Sequence, residues 1–374
     1  MFGVFRLALA WEVVVYHLSG HHPVGWYSVY AFYALSGYLM TLVTTKKYPL
    51  NADGGLNFLL NRSLRIYPPY LAMAAVAFGL LCLPSLYPIS QRLVTTPPIG
   101  LPHGLTSWFS DVFILGWHMP VPKLVPQVWS VYREIFYCSA IFLLLGRDRR
   151  LSLAWFALSA AYIGYALARG FHLFDVYNSF QTASFSYSAG ACIYHFRKQL
   201  APLQRPLYPQ ILLAAVLPFA LEAVRPRFFG EDSPIPFFLN NLFSAYMVLL
   251  LAGIKSTPKA FAADQYIGNL AYPLYLCHFN VGILVAAAFG WSGDASDKLL
   301  LACVVPISAC AWLVNKYVER TIGYGYDKRR QARRKLRSAP ASAPAAGALP
   351  LPLPLSAPAP STAQLRTLPV AGVK

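Results

Sequence analysis

The sequence predicts an all-α, polytopic integral membrane helix bundle with about ten transmembrane helices and both termini cytoplasmic. Three observations predict it. The 374 residues are 57% hydrophobic and only 12% charged, against about 25% charged in an ordinary soluble domain. Apolar runs recur from Phe2 to Tyr317, most of them roughly 18 to 22 residues long, the length that crosses a hydrocarbon core about 30 Å thick. The Lys and Arg residues gather in alternate connections and after the last run, the asymmetry that orients membrane helices. With the N-terminus inside, only Arg92, Lys123, Arg169, Arg225, Arg227 and Lys298 fall outside, while 23 of the 31 basic residues fall inside. A net charge of +17 distributed this way points to lipid headgroups or an anionic substrate, and argues against nucleic acid.

The expected spans are residues 2–18, 24–43, 69–86, 125–145, 151–168, 177–196, 211–223, 237–254, 267–289 and 299–317. The first carries Arg6, Glu12 and His17 where a signal peptide would have a clean apolar core and a small-residue cleavage site, so it is read as a retained helix. The sixth and seventh are the weakest. The sixth holds Asn178, Gln181, Thr182, Ser184, Ser186 and Ser188, which directs it toward the bundle interior or a wet cavity. The long proline-rich connection 84–126, with an aromatic run at 108–117, reads as an interfacial or re-entrant piece. Residues 321–337 form a basic amphipathic extension suited to an anionic leaflet. Residues 338–374, rich in Ala, Pro, Ser and Leu, are expected to be disordered. The organisation is thus a membrane domain over 1–320, the extension, and the tail. Six cysteines without a CxxC pair or a zinc-spaced His suggest neither a disulfide framework nor a structural metal.

Ionisable side chains within spans are costly and usually functional. Arg6 and His17 are eleven positions apart, which on a helix places them about 20° from a common face and about 16 Å apart along the axis. Alone, Arg6 is better explained as a residue that snorkels to the interface. His17 reads equally as a polar cap or as a catalytic imidazole. Glu12 points roughly 140° away from His17 and is not its partner. His17, His21 and His22 have no carboxylate at ligand spacing, so no metal is expected. Ser36-Gly37 in the second span is a small-residue pair that lets helices approach closely. In the connection that follows, Arg62 and Arg65 are three apart, so on a helical turn they project side by side and suit either a phosphate or anionic lipid. Glu134 lies about 9 Å below the outer end of the fourth span, at a depth similar to that of His17. A His17–Glu134 pair would satisfy both residues.

Taken together, these features resemble the membrane-bound acyltransferase 3 family, O-acyltransferases of polysaccharides and other cell-surface molecules. The resemblance rests on Arg6 and His17 (an Arg, ten residues, then a His), on Tyr33 to Tyr38 (aromatic-x-Leu-Ser-Gly-Tyr), and on Arg62, Arg65, Tyr67 and Pro68 (R-x-x-R, then aromatic-Pro). It continues through Trp129, Ser130 and Glu134 (W-S-x-x-x-E), the run Tyr272 to His278, and Val318 to Arg320. These motifs occur in the family's order. The Tyr-Arg before Glu134 departs from the small or apolar residues usual there, and the first outside loop is short. The resemblance implies an acyltransferase transferring groups other than aminoacyl groups, in a bacterial inner membrane. Its acyl-CoA co-substrate, acetyl-CoA above all, would come from the cytoplasm, its acceptor would be a glycan or lipid-linked hydroxyl, and no cofactor would be bound. It implies His17 as general base with Glu134 orienting it, Arg62, Arg65 and Arg6 on the donor phosphates, and Ser36, Tyr38, Trp129 and Ser130 at the substrate. A transporter or flippase would instead show repeated halves and paired broken helices, and neither is visible. A membrane scaffold would leave Arg6, His17 and Glu134 unexplained.

Overall fold

The computed structural model describes residues 2–19, 24–93, 97–115, 122–204 and 208–322. Within them, fourteen α-helices follow in order: α1 Gly3–Ser19, α2 Val24–Lys47, α3 Ala52–Leu81, α4 Tyr87–Arg92, α5 Gly104–Val112, α6 Trp129–Ala140, α7 Arg149–Ala168, α8 Leu173–Asn178, α9 Phe180–Phe196, α10 Tyr208–Phe228, α11 Ile235–Gly253, α12 Pro258–Asn269, α13 Ala271–Ala288 and α14 Asp297–Val314. The described residues contain no strand, only a β-bridge between Ile99 and Lys123. Six stretches are long and apolar enough to cross a membrane: Ala52–Leu81, Pro126–Leu145, Arg149–Ala168, Ile235–Gly253, Pro258–Ala288 and Asp297–Ile322. At 17 residues each, α1 and α9 are short for a span by themselves. Helices cover most of each expected segment, with limits that differ most at the third, sixth and ninth.

The third segment is a 30-residue helix that begins at Ala52, with Asn51 accepting the Gly54 amide at 2.8 Å. Arg62 and Arg65, expected in a connecting loop, therefore stand on a continuous helix. Pro68 and Pro69 lie inside it and deprive the carbonyls of Leu64 and Arg65 of their helical donors. The sixth segment breaks at Ser179, whose backbone is extended and whose hydroxyl accepts the Thr182 amide at 3.3 Å to cap α9. The ninth begins earlier, at Pro258, as α12, and resumes after Leu270 as α13.

Chain crossings are set by glycine. A methyl on Gly37 would stand 2.1 Å from the Tyr187 carbonyl oxygen, and one on Gly190 would stand 2.1 Å from that of Ala34. Backbones this close require residues without a Cβ, so Gly37 does what the small-residue reading assigned to it. Tyr33 then stacks on Tyr187 with centroids 4.8 Å apart, and Tyr187 on Tyr137 at 4.7 Å.

The long connection folds back into the bundle. Its helix α5 runs beside α3: Trp108 meets Phe78, Tyr70 donates to the Asp111 carbonyl at 2.5 Å, and Tyr67 donates to that of Phe113 at 3.0 Å. The chain reverses at Ile114, whose φ of 54° is left-handed, and Lys123 holds Asp111 at 3.1 Å. Leu105 and Phe109 remain exposed. The aromatic run expected as an interfacial or re-entrant piece is thus a short helix packed on α3 as far as residue 115; Trp117 lies outside the described residues. So do His21, His22, most of the extension 321–337, and the tail 338–374.

The start of α1 is fixed from far away in the chain. Asp264 of α12, buried at 3% exposure, accepts the Gly3 amide at 2.9 Å and the Val4 amide at 3.0 Å. A carboxylate there satisfies two of the free N–H groups at a helix N-terminus and complements its dipole.

Candidate active site

Six helices converge on a cavity of about 130 Å³ lined by Arg6, Ser36, Arg62, Arg65, Ser130, Glu134, Gly268, Tyr272 and Tyr275, with apolar walls from Phe32, Met40 and Val131. α1 brings Arg6, α2 brings Ser36, α3 brings both other arginines, α6 brings Ser130 and Glu134, and α13 brings the tyrosines. Gly268, at the end of α12, completes the ring. A methyl on Gly268 would stand 2.6 Å from Arg6 Nη2 and 2.5 Å from Gly3 Cα, so its bare backbone leaves room for the guanidinium.

The charges are unequal. Arg62 Nη1 stands 3.5 Å from Glu134 Oε1, and Ser36 Oγ donates to the same oxygen at 3.4 Å. Arg62 also turns Nη2 toward the sulfurs of Met40 and Cys138, the latter at 3.0 Å. Arg65 lines the cavity without a hydrogen bond or ion pair among the described residues. Arg6 Nε is buried with no hydrogen-bond partner. Among the lining residues three guanidiniums face one carboxylate, while Asp264 and Glu319 lie within electrostatic reach of Arg6 and Glu319 within that of Arg65; guanidinium is the cation best shaped for phosphate oxygens.

A second cavity of about 200 Å³ opens on the other side of the same ion pair, between α3 and α6. It shares Arg62, Ile66 and Glu134 with the first and is otherwise lined mainly by Phe58, Leu59, Tyr67, Ile135 and Cys138.

His17 does not line either cavity, and the expected pairing with Glu134 is not formed: Glu134 is taken up by Arg62 and Ser36. The ring of His17 instead stacks on His278 of α13, centroids 5.3 Å and planes 20° apart, with Phe279 at 4.8 Å. The two regions nevertheless adjoin. Tyr275, in the cavity wall, is one helical turn before His278, and their rings are 6.1 Å apart. The Tyr275 hydroxyl is held by Ser130 Oγ at 2.8 Å and donates to the Gln127 carbonyl at 2.6 Å. Glu12 is hydrogen-bonded by Ser28 and plays no part here.

The chain belongs to the acyltransferase 3 family. The family model, described as an acyltransferase domain, matches residues 3–314, which include every lining residue above. No curated protein and no solved structure matches the chain. The six membrane-length helices and this membership together describe a helical membrane-bound acyltransferase.

Of the residues that the family motifs singled out, Arg6, Arg62, Arg65, Ser36, Ser130 and Glu134 come together in the cavity. Two others do not. Tyr38 is 5% exposed and packs between Phe2, at 5.5 Å, and Tyr194, at 6.1 Å, because it follows Gly37 on the face that crosses α9. Trp129 carries the Arg133 guanidinium 4.6 Å above its ring and meets Tyr177 edge-on at 5.2 Å. Arg133 in turn donates to the carbonyls of Tyr177, at 3.1 Å, and Asn178, the free C-terminal oxygens of α8. These bonds satisfy a buried cation through a helix end. They also explain the arginine before Glu134. Sequence reasoning missed Tyr272, Tyr275 and Gly268 as lining residues. It quoted His278 only as part of a motif, although a histidine inside an expected span met the same criterion that selected His17.

Proposed function

We propose that this protein moves an acyl group, acetyl in the simplest case, from acyl-CoA to a hydroxyl of a cell-surface or secreted glycan or glycolipid, in a bacterial inner membrane with both termini cytoplasmic. The observation that carries the reading is the convergence of Arg6, Arg62 and Arg65 on one cavity whose wall, at Tyr275, is a single helical turn from the His17–His278 pair. The arginines would hold the phosphates of the donor at the end of the bundle where α1 begins. His17, about 16 Å further along α1, would act at the far end of an extended thioester arm.

In the reaction His17 accepts the proton of the acceptor hydroxyl as its oxygen attacks the thioester carbonyl. The C–S bond then breaks, and the departing thiolate takes the proton back from the imidazolium. A hydroxyl is a poor nucleophile near neutral pH and needs such a base. The lateral cavity between α3 and α6 gives an apolar portion of a substrate a place beside the ion pair.

The test is acyl-CoA turnover by the purified protein in detergent, followed as release of free thiol, with the Arg62→Ala/Arg65→Ala double variant as control. Turnover that rises with donor concentration and loses its saturation in the variant supports the reading. A protein that binds acyl-CoA without breaking its thioester, even with a crude glycolipid extract added, would favour transport of an acylated substrate instead.

A further inference from the structure

His278 is fully buried, at 0% exposure. Its Nδ1 lies 2.8 Å from the Tyr275 carbonyl oxygen. A carbonyl only accepts, so Nδ1 carries the proton and Nε2 bears the lone pair. That Nε2 is buried without a hydrogen-bond partner among the described residues, and so is Nδ1 of His17 in the ring stacked on it. Buried unsatisfied polar atoms are rare enough to call for an explanation, and here two occur on adjacent rings. One is a lone pair with its tautomer fixed; the other is able to carry a proton.

We propose that His278 is the positioning residue of His17. Nδ1–H of His17 is offered to Nε2 of His278, which fixes the tautomer of His17 with its lone pair on Nε2, the atom that takes the acceptor's proton. The chain of fixation runs from the Tyr275 carbonyl through His278 to His17. It fills the place of the third group that orients a base in a catalytic triad. In the resting structure the rings are stacked, and the bond closes by a tilt of His17 when substrate arrives, since catalytic hydrogen bonds commonly tighten only in the loaded site. His278 neither gains nor loses a proton over the cycle: His17 receives the hydroxyl proton at Nε2 and returns it to the thiolate. The proposal rests on the reading of His17 as base, and it gives the orienting role to a residue other than Glu134.

Two substitutions separate the orienting role from mere packing. In His278→Asn the amide nitrogen still reaches the Tyr275 carbonyl but nothing occupies the place of Nε2. In His278→Gln the carboxamide reaches that place and restores an acceptor. With acetyl-CoA as donor, kcat is expected to fall at least ~10-fold in His278→Asn and to recover most of that loss in His278→Gln, the scale seen when an orienting partner of a functional His is removed. The donor KM should stay unchanged in both. A second readout needs no turnover: ¹⁵N spectra of histidine-labelled protein in micelles should show His17 protonated on Nδ1 in the wild type and lose that preference in His278→Asn. A wild-type His17 protonated on Nε2, full kcat in His278→Asn, or a Gln variant as slow as the Asn one overturns the proposal. Undiminished turnover in His17→Ala would instead bring down the base reading, and the spectra would still decide whether the two rings are paired.

Discussion

Glu134 Oε1 lies 3.5 Å from Arg62 Nη1, at the place where two cavities share a wall. Under the proposed function, the carboxylate that the sequence offered as a partner for the imidazole would compete with the donor's phosphates for a guanidinium. The consequences of that competition are measurable.

Glu134→Gln removes the competing charge while keeping an acceptor for Ser36. The donor KM is expected to fall by about 2- to 10-fold, the range of a partly exposed ion pair of roughly 0.5–1.4 kcal/mol. Steady-state kinetics in acyl-CoA would show it. A loss confined to kcat, with donor KM unchanged, would instead restore Glu134 to the orienting role beside His17.

Arg65, with no hydrogen bond or close ion pair to leave behind and only the longer-range pull of Glu319, is the cleaner probe of phosphate binding. Arg65→Ala should raise donor KM by about 10- to 100-fold with folding intact, because a charge-assisted hydrogen bond is worth roughly 1.5–3 kcal/mol. Arg65→Lys should recover only part of this, since ammonium cannot grip phosphate in two places. Equilibrium binding of coenzyme A to the same variants checks that the change is in affinity.

His17→Ala should leave membrane insertion and donor binding as they are and lower transfer by at least ~10²-fold, the low end of what a placed base contributes. Expression-matched membranes assayed for acyl transfer provide the comparison. Near wild-type transfer would leave the family membership standing and the mechanism without its base.

Gly37→Ala tests the crossing of α2 and α9. With 2.1 Å to a carbonyl oxygen, the added methyl must push two backbones apart, and a destabilisation of at least ~1–3 kcal/mol is expected from overpacking. Ser36→Ala, one residue earlier on the cavity side, should be close to neutral in stability. Thermal unfolding in detergent, read side by side, tells the two positions apart.

Much of this was legible from the residues. Apolar run lengths located helices where the structure has them, and cations in apolar runs led to Arg6 and to the cavity it lines. Gly37 was recognisable as a crossing point because small residues have few other uses in a span. The errors have physical causes. Arg62 and Arg65 were placed in a connection because the apolar run was taken to begin at Pro69, whereas Asn51 caps a helix that runs through both prolines. Depth along a helix axis was used to pair His17 with Glu134, but depth does not fix azimuth, and Glu134 faces the arginines. Tyr38 and Trp129 entered the substrate set with the family motifs that also hold Ser36 and Ser130. Neighbours on a helix point about 100° apart, and each of these two turns into packing.

The bond between Asp264 and the first turn of α1 joins residues 261 and 260 positions apart. At a translation rate of 5–20 residues per second, the anchor for α1 leaves the ribosome on the order of 10–50 s after the helix it anchors. The helix that carries both Arg6 and His17 is thus made well before the residue that locks its first turn. Until α12 arrives, Gly268 is missing from the wall beside Arg6, so the pocket around that guanidinium closes only once this later helix is in place.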